Sequence, residues 1–412
     1  MVAIMTAKEL VLAFGPGEQW LLPADYVTTF IDRPPVSPDL DLADEVARAL
    51  ESPLDFPSLH QAIVPGDVTA LLLDPELPNI AELAREVVRW ICEHGVSPDS
   101  LRLVISNELD AKRIQDTIHS LVGSSIPLIV HDSNDPGMLA YVAANEQADP
   151  IYFNREIVDA DVIVPIISAR SHGQLDFAGL FSVFPLFSNL ETQQRFSNYQ
   201  SLVQVERREQ LEQWADQAAW WLGICVAVEV IPGCQGTVSK IIAGTLDALR
   251  GKVEQEMQSI WQVELPTCDL LIAGIDGQQQ MQTWQNVARI LHNAQSCVCP
   301  GGSIVICSTL SSRPGKALNR LRDTHHSPEA LARFLDAEKS ADAVAAASIH
   351  QALQDNHVYL VSCLPRNVIE DLGMGAIESL NQLTNLMHQS KACTVLGSAQ
   401  YRTSQKALTR LR

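Results

Sequence analysis

Acidic and histidine side chains follow several of the apolar runs in this sequence. Imidazole binds transition metals and titrates near neutral pH, and a carboxylate serves as a general base. Each residue also has a structural alternative, since an aspartate often caps a turn or a helix and a histidine can lie in a surface loop. The first candidates for acid–base or metal chemistry are Asp74, Asp110, His131, Asp132 and His172.

The runs that precede these residues have the pattern of strands in one sheet. Short apolar segments alternate with amphipathic helices from Asp67 onwards, as in a parallel sheet covered on both faces. Ligands of such sheets bind at the carboxyl ends of the strands, so we expect the candidate residues to meet at one edge. The predicted strands are 68–73, 101–106, 126–131, 151–153 and 162–167.

A second alternation of strands and helices begins after Pro266 and predicts a second domain of the same class. We therefore predict an α/β protein of two domains, residues 1–264 and 265–412. Each domain is expected to be a mostly parallel sheet with helices on both faces, and a ligand cleft is expected between them. The strands of the second domain are predicted at 270–275, 303–307, 358–363 and 393–396.

Three further segments complete this prediction. Residues 9–23 are two short apolar runs around a Phe-Gly-Pro-Gly turn, which indicates a hairpin. Residues 174–220 are rich in Phe, Gln and Asn without a clean period, and 204–221 is the part expected to be helical. The first domain then ends in a predicted strand at 224–231 and a long helix at 243–260.

Composition excludes several classes of function. The 412 residues are 46% apolar and carry a net charge of −20, which repels phosphate backbones and anionic lipid and argues against a nucleic-acid or membrane-surface role. The longest apolar run, 218–228, is too short to span a bilayer, and the N-terminus has no signal-peptide pattern. Nine cysteines without a disulfide or zinc spacing favour free thiols and a cytoplasmic location.

The order and composition of these segments resemble the lactate racemase family, whose enzymes carry a nickel-pincer nucleotide. The resemblance covers nearly the whole chain. The best-matched pieces are Phe14-Gly15, Asp74 with Pro78, His131-Asp132 with Asp135 and Leu139, Tyr152–Glu156, Asp159–Asp161, Cys268–Gly277, Trp284-Gln285, Cys299–Gly302 and Val358–Ser362.

This resemblance implies a particular chemistry. In the family, a pyridinium-derived nucleotide is tethered as a thioamide to one lysine and holds nickel through two sulfurs and a ring carbon, and a histidine is the fourth nickel ligand. Two further histidines act as bases on the α-hydroxyl of a 2-hydroxy acid. Hydride moves from Cα to the cofactor ring and back, and cationic residues bind the carboxylate.

The sequence departs from the family at the positions that carry this chemistry. Phe181 stands where the cofactor lysine is expected, and a phenyl ring cannot form a thioamide. Leu77 replaces the arginine that follows the first parallel strand, and Ala288 replaces a lysine three residues after Gln285. The histidine expected near 196–198 is missing.

Two positions leave a catalytic role open. A family histidine aligns with Ser171, so His172 is a candidate base and the one weak candidate for a metal ligand, with a surface-loop histidine as the alternative. Asp110 lies near a second histidine position and is a candidate base, but it also suits the N-cap of the following helix.

Four retained residues are candidates for cofactor binding: Asp74, Asn154, Arg155 and Gln285. Asp74 alternatively caps a turn with Pro75, and Asn154 and Arg155 alternatively brace the two domains or bind an anion. His131 is alternatively oriented by its own loop. A separate metal enzyme built on His131, Asp132 and His172 has no spacing signal to support it.

Two functional hypotheses follow. The first is an active 2-hydroxy-acid racemase or epimerase that binds the nickel-pincer nucleotide without the covalent link. The second is a divergent paralogue without lactate racemase activity and without a cofactor, which binds a small molecule or a protein in the interdomain cleft. The second is our prediction, and the aromatic residues of the former cofactor loop then either fill the cleft or accept an apolar ligand. They are Phe177, Phe181, Phe184 and Phe187.

Overall fold

A computed structural model of the chain describes residues 9–34, 40–106, 108–122, 126–145, 147–171, 183–322 and 328–404, together with residues 175, 177 and 179. The strands of this part are β1 (Glu9–Phe14), β2 (Glu18–Pro23), β3 (Thr29–Ile31), β4 (Thr69–Leu73), β5 (Leu101–Ile105), β6 (Leu128–Val130), β7 (Leu139–Ala144), β8 (Pro150–Asn154), β9 (Val162–Ser168), β10 (Ala227–Pro232), β11 (Val238–Gly244), β12 (Gln262–Val263), β13 (Cys268–Gly274), β14 (Val298–Cys307), β15 (His357–Val361), β16 (Gly375–Ala376), β17 (Cys393–Leu396) and β18 (Thr403–Ser404).

Helices connect most of these strands. They are α1 (Leu42–Glu51), α2 (Ile80–Glu93), α3 (Glu108–Val122), α4 (Arg155–Val158), α5 (Val183–Leu186), α6 (Leu190–Phe196), α7 (Tyr199–Val203), α8 (Val205–Trp221), α9 (Leu246–Trp261), α10 (Trp284–Ala294), α11 (Lys316–Arg320), α12 (Pro328–Ala337), α13 (Ala343–Asp355), α14 (Arg366–Glu370) and α15 (Leu380–Gln389).

Two six-stranded sheets organise the chain. The first has the order β11-β10-β9-β4-β5-β6, and its strands are parallel except for the antiparallel pair β10–β11. The second has the order β16-β15-β14-β13-β17-β3 and is parallel throughout. The predicted α/β class with mostly parallel sheets and flanking helices is confirmed.

Successive side chains of a strand point to opposite faces of the sheet, so each strand contributes to two different hydrophobic cores. In β4, Leu71 and Leu73 pack with α1 and α2 on one face of the first sheet, whereas Ala70 and Leu72 belong to a larger core on the other face. That larger core also includes Leu271 and other residues of the second sheet, so apolar packing is continuous from one sheet to the other.

The N-terminal hairpin lies against the second sheet rather than the first. Leu10, Leu12 and Leu22 of β1 and β2 share a third core with Leu270 of β13, and β3 pairs with β17. Residues 9–34 therefore pack on the C-terminal half of the chain. The boundary at 264/265 stays a prediction.

Three sequence-based predictions need correction. The strand predicted at 151–153 is β8, which pairs antiparallel with β7 outside the main sheet. Residues 238–244 form strand β11, which the sequence pattern missed, so the helix predicted from 243 begins at Leu246. By contrast, the hairpin at 9–23 and the strands at 68–73, 101–106 and 162–167 are found with small shifts at their ends.

The nine cysteines form no disulfide, and five of them are buried. Across the described ranges, no helix is both long enough and apolar enough to cross a membrane.

Candidate functional site

A cavity of about 340 Å³ opens at the carboxyl ends of β4, β5 and β9. We call it the edge cavity. Asp74, Ser106 and Arg170 line it from these strand ends, and Gln285 of α10 lines it from the second half of the chain. Its apolar lining includes Phe177, Pro185, Leu186, Phe196, Leu202 and Val344.

Asp74 is buried and bonded through both carboxylate oxygens. Oδ1 accepts a hydrogen bond from the Glu76 amide at 2.9 Å, which closes the turn after β4 as an aspartate before proline is suited to do. The guanidinium of Arg170 pairs with the same carboxylate, with Nη1 2.9 Å from Oδ2 and Nη2 3.2 Å from Oδ1. The amide of Ser168 also donates to Oδ2, at 3.3 Å. Asp74 is thus both a turn residue and half of a buried ion pair.

Glu76 holds a second arginine and joins the two halves of the chain. Arg289 of α10 donates two hydrogen bonds to its carboxylate, from Nη1 to Oε2 at 2.8 Å and from Nη2 to Oε1 at 3.0 Å. Nη2 of Arg170 lies 3.4 Å from Oε2 of the same carboxylate. Burial alone would raise the pKa of Glu76, but the charges of Arg289 and Arg170 outweigh it and hold the pKa at about 2. Glu76 is therefore ionised throughout the physiological range.

Glu229 of β10 lies on the same face as these charges and is buried at 6% exposure. Burial raises its pKa to about 7, and the nearby Asp74 carboxylate acts in the same direction, while Arg170 and Arg250 oppose the shift. A side chain at Gly179 would meet its Oε1 at 3.5 Å, so the backbone at Gly179 passes close to this carboxyl. Arg170 thus interacts with the carboxylates of Asp74 and Glu76 and with Glu229, whose pKa is about 7.

Gln285 lies where the family resemblance places a site glutamine. Its Nε2 donates to the backbone oxygen of Leu175 at 3.0 Å, so the amide holds the loop at the cavity rim. Ala288, which replaces the family lysine, is completely buried in the main core. No lysine is found among the described residues that line the edge cavity.

Asn154 and Arg155 lie at a different, neighbouring cavity of about 810 Å³, together with His131. Asn154 caps α4 through Oδ1, which accepts from the Glu156 amide at 3.0 Å. Its Nδ2 donates to Nδ1 of His131 at 3.1 Å, and Nε2 of His131 donates to the Ser188 oxygen at 2.8 Å.

These two hydrogen bonds fix the tautomer of His131. Burial lowers the pKa of His131 against the opposing effects of the Ser188 oxygen and Asp132, so the ring is neutral with its proton on Nε2. Arg155 donates to the Leu139 oxygen at 3.1 Å. These contacts brace the β7–β8 hairpin locally.

Three residues singled out in the sequence lie wholly or partly outside the described part of the chain. His172 and Phe181 lie outside the described residues. Asp110 belongs to α3, which begins at Glu108, so it lies within the first turn and the N-cap alternative is wrong. Nothing is described of its side chain.

The three described phenylalanines of the former cofactor segment are all buried in the main core. Phe184 packs edge-on against Phe196 and Trp214, and Phe177 packs against Phe196 at a ring distance of 5.0 Å. Phe177 also lines the edge cavity, so the aromatic side chains form its wall.

Sequence reasoning missed the charged residues that define this edge. One signal was available: Glu229 is a charged residue inside an otherwise apolar strand, which is uncommon without a purpose. Arg170 and Arg289 carry no comparable local signal, because their partners are 96 and 213 residues away in the chain.

Comparison with known proteins supports the family resemblance. The model for the lactate racemase N-terminal domain matches residues 16–198. The lactate racemase apoprotein from Thermoanaerobacterium thermosaccharolyticum superposes with a TM-score of 0.75 at 15% identity, covering 96% of this chain and 100% of that one. A protein from Thermotoga maritima gives 0.61 at 11% identity, covering 88% of this chain and 97% of that one. No curated protein matches the sequence.

Residues 16–198 thus match the lactate racemase N-terminal domain, and the chain as a whole has the lactate racemase fold.

The described residues of this lactate racemase-like protein do not fit the family's cofactor. Its nickel needs an imidazole ligand, but no histidine lines the edge cavity within the described ranges, and both ring nitrogens of His131 are bonded elsewhere. No group of three or more potential metal ligands occurs in this part of the chain. The cavity's carboxylates are already paired with arginines, which leaves them poor donors for a metal.

Proposed function

We propose that this protein is a divergent, non-catalytic member of the lactate racemase-like family that binds a small molecule or a protein segment at the edge cavity. The observation that carries this proposal is the pairing of the charged residues at the cavity with one another: Arg170 pairs with Asp74, and Glu76 pairs with Arg289 of α10. A 2-hydroxy acid bound there would have to displace a buried carboxylate from its partner.

The charge balance of the edge cavity supports this proposal. Two arginines face Asp74 and Glu76, and Glu229 adds further negative charge when it ionises near pH 7. In a poorly hydrated site, an extra carboxylate without a free counter-charge is costly to bury. The cavity therefore favours a neutral ligand with apolar groups facing Phe177, Leu186 and Leu202.

The substitutions in the sequence point the same way. Phe181 cannot form the thioamide that the resemblance implies, and Ala288 is packed in the core where a lysine would be needed. The alternative is an active 2-hydroxy-acid racemase or epimerase with a non-covalently bound nickel-pincer nucleotide. It is favoured by one feature, the presence of Asp74 and Gln285 on the same cavity.

One experiment separates these two functions. The chain is produced in a host that makes the nickel-pincer nucleotide, with a known lactate racemase loaded in parallel as the positive control. We expect native and denatured mass spectrometry to give the bare polypeptide mass, metal analysis to find no stoichiometric nickel, and no conversion between the lactate enantiomers. Stoichiometric nickel with a nucleotide released on denaturation would overturn the proposal.

A variant makes this test sharper. Phe181→Lys restores the amine on which the family's covalent link depends. If the wild-type chain stays bare while Phe181→Lys gains the nucleotide mass, the missing lysine is the cause. If neither gains it, the rest of the site has diverged as well, as the paired arginines lead us to expect.

A further inference from the structure

A second cavity, of about 550 Å³, lies on the Gln- and Asn-rich part of the chain and has no role in the edge cavity. We call it the amide groove. It is formed by the β7–β8 turn, α6, α8 and the end of α12. Its volume falls within the range of about 300–1,000 Å³ typical of small-molecule sites.

Helix α8 contributes a stripe of polar side chains to this groove. Arg207, Gln210, Gln213 and Gln217 recur at intervals of three and four residues, which places them on one face of the helix. All four line the groove. The stripe therefore presents its polar groups together to one side of the helix.

The amides of the groove are available for a ligand. Gln194 of α6 and the three glutamines of α8 form no hydrogen bond with another described residue. Each side-chain amide offers two donors and an acceptor. By contrast, Gln200 and Gln193, which lie outside the groove on the same segment, are bonded to Asp336 and to the Leu186 oxygen.

A buried donor in the groove also lacks an acceptor. Trp214 lines the groove at 6% exposure, and its indole Nε1 has no hydrogen-bond partner among the described residues. Buried donors are nearly always satisfied in folded proteins, so an unpaired indole in the wall of the groove is unusual.

The charge of the groove is opposite to that of the chain. Among the described residues that line it are three cations and two carboxylates, in a protein with 29 Lys and Arg against 49 Asp and Glu. Arg195 is paired with Asp149 at 2.8 Å. Arg207 and Lys339 are exposed, and neither forms a salt bridge with another described residue. These two cations are free to bind an anionic group.

We propose that the amide groove binds a small polyhydroxylated anion, such as a phosphorylated or carboxylated sugar. Hydroxyl groups, which both donate and accept, match the unpaired amides of Gln194, Gln210, Gln213 and Gln217, and the anionic group pairs with Arg207 and Lys339. The proposal is independent of the function assigned to the edge cavity, because the two cavities share no lining residue.

Isothermal titration of the full chain tests this proposal. The ligands are a panel of pentose and hexose phosphates and hexonates, with the matching neutral sugars and inorganic phosphate alone. We expect at least one sugar anion to bind about tenfold or more tightly than either its neutral sugar or inorganic phosphate. If no sugar anion exceeds inorganic phosphate, the proposal is wrong.

Variants locate the binding within the groove. The double variant Arg207→Gln/Lys339→Gln and the double variant Gln213→Ala/Gln217→Ala should each weaken the best ligand by about tenfold or more. Lys252→Gln removes a cation of α9 that lies outside the groove and serves as the matched control, with unchanged affinity. Circular dichroism and melting curves check that each variant is folded. Unchanged affinity in both double variants would place the ligand elsewhere and overturn the proposal.

Discussion

The edge cavity and the amide groove use polar residues in opposite ways. In the edge cavity the charges are buried and paired with each other: Arg170 with Asp74, and Arg289 with Glu76. In the amide groove the glutamines of α8 and the cations Arg207 and Lys339 have no partners among the described residues.

This difference separates residues that stabilise the fold from residues that are free to bind a ligand. A buried charge that loses its partner keeps the full cost of its burial, whereas an exposed amide that is removed costs the fold almost nothing. Substitutions in the edge cavity should therefore lower the free energy of unfolding more than substitutions in the amide groove. Each residue can be tested separately.

The largest effect is expected for Arg170→Met. The change leaves the buried Asp74 carboxylate without its cation, and breaking a buried pair costs about 3–5 kcal/mol. Urea denaturation followed by circular dichroism measures this loss. The matched control is Arg366→Met, whose pair with Glu370 is exposed and should contribute little to stability. Equal losses in the two variants would mean that the edge cavity is solvated rather than buried.

The next largest effect is expected from Glu229, whose ionisation makes the free energy of unfolding depend on pH. Its pKa is about 7 in the folded chain because of burial, against the ordinary pKa of 4.5 for a glutamate, so the folded state holds a proton that the unfolded state releases. Stability is therefore fully present below about pH 4.5 and falls as the pH rises towards 7, after which it is constant. The shift corresponds to a loss of about 3 kcal/mol across this window.

Glu229→Gln isolates this contribution. The variant keeps the shape of the side chain and cannot ionise, so its free energy of unfolding relative to the wild type should rise between pH 5 and pH 8. Glu76 does not interfere, because its pKa of about 2 places its own transition below this range. The measurement is urea denaturation of both proteins at each pH. A constant difference between them would show that Glu229 is ionised throughout, with a counter-charge close by.

Some parts of the fold could be predicted from the sequence and others could not. The sheets could be predicted because strands such as 69–73 and 162–168 are continuous apolar runs between amphipathic helices. Strand β11 was missed because the turn before it is hard to recognise in the sequence. The residue in the left-handed region of this turn, at φ 58°, is Gln235 rather than the glycine or asparagine that usually adopts this conformation. Its segment also contains Lys240, which interrupts the apolar pattern.

The candidate site was harder to predict for a different reason. Asp74 was predicted from its place at the end of a strand and Gln285 from the family resemblance, and both line the edge cavity. The pairing of Arg170 with Asp74 and of Arg289 with Glu76 depends on contacts between residues far apart in the chain, which no local pattern records. The glutamines of the amide groove were visible as composition, but only the helix shows that they share a face.

A smaller loss is expected for Asn154→Ala at the cavity beside the edge cavity. The change removes the N-cap of α4 and the donor to Nδ1 of His131, and should cost about 1–2 kcal/mol. Asp41→Ala, which removes an exposed cap of α1 and nothing else, is the control. Thermal denaturation compares the two. A loss no larger than that of Asp41→Ala would mean that the His131 contact contributes nothing.

The smallest effect is expected in the amide groove, for Gln213→Ala and Gln217→Ala. Neither glutamine has a hydrogen-bond partner among the described residues, and alanine is the better helix former, so each change should alter the free energy of unfolding by less than about 0.5 kcal/mol. Urea denaturation of the two single variants and of the double variant measures these changes. A loss of more than about 1 kcal/mol would show that these amides hold α8 in place, because only a structural contact depends on them in the absence of a ligand. A near-zero change, together with a loss of ligand affinity in the same variant, would separate binding from folding at this groove.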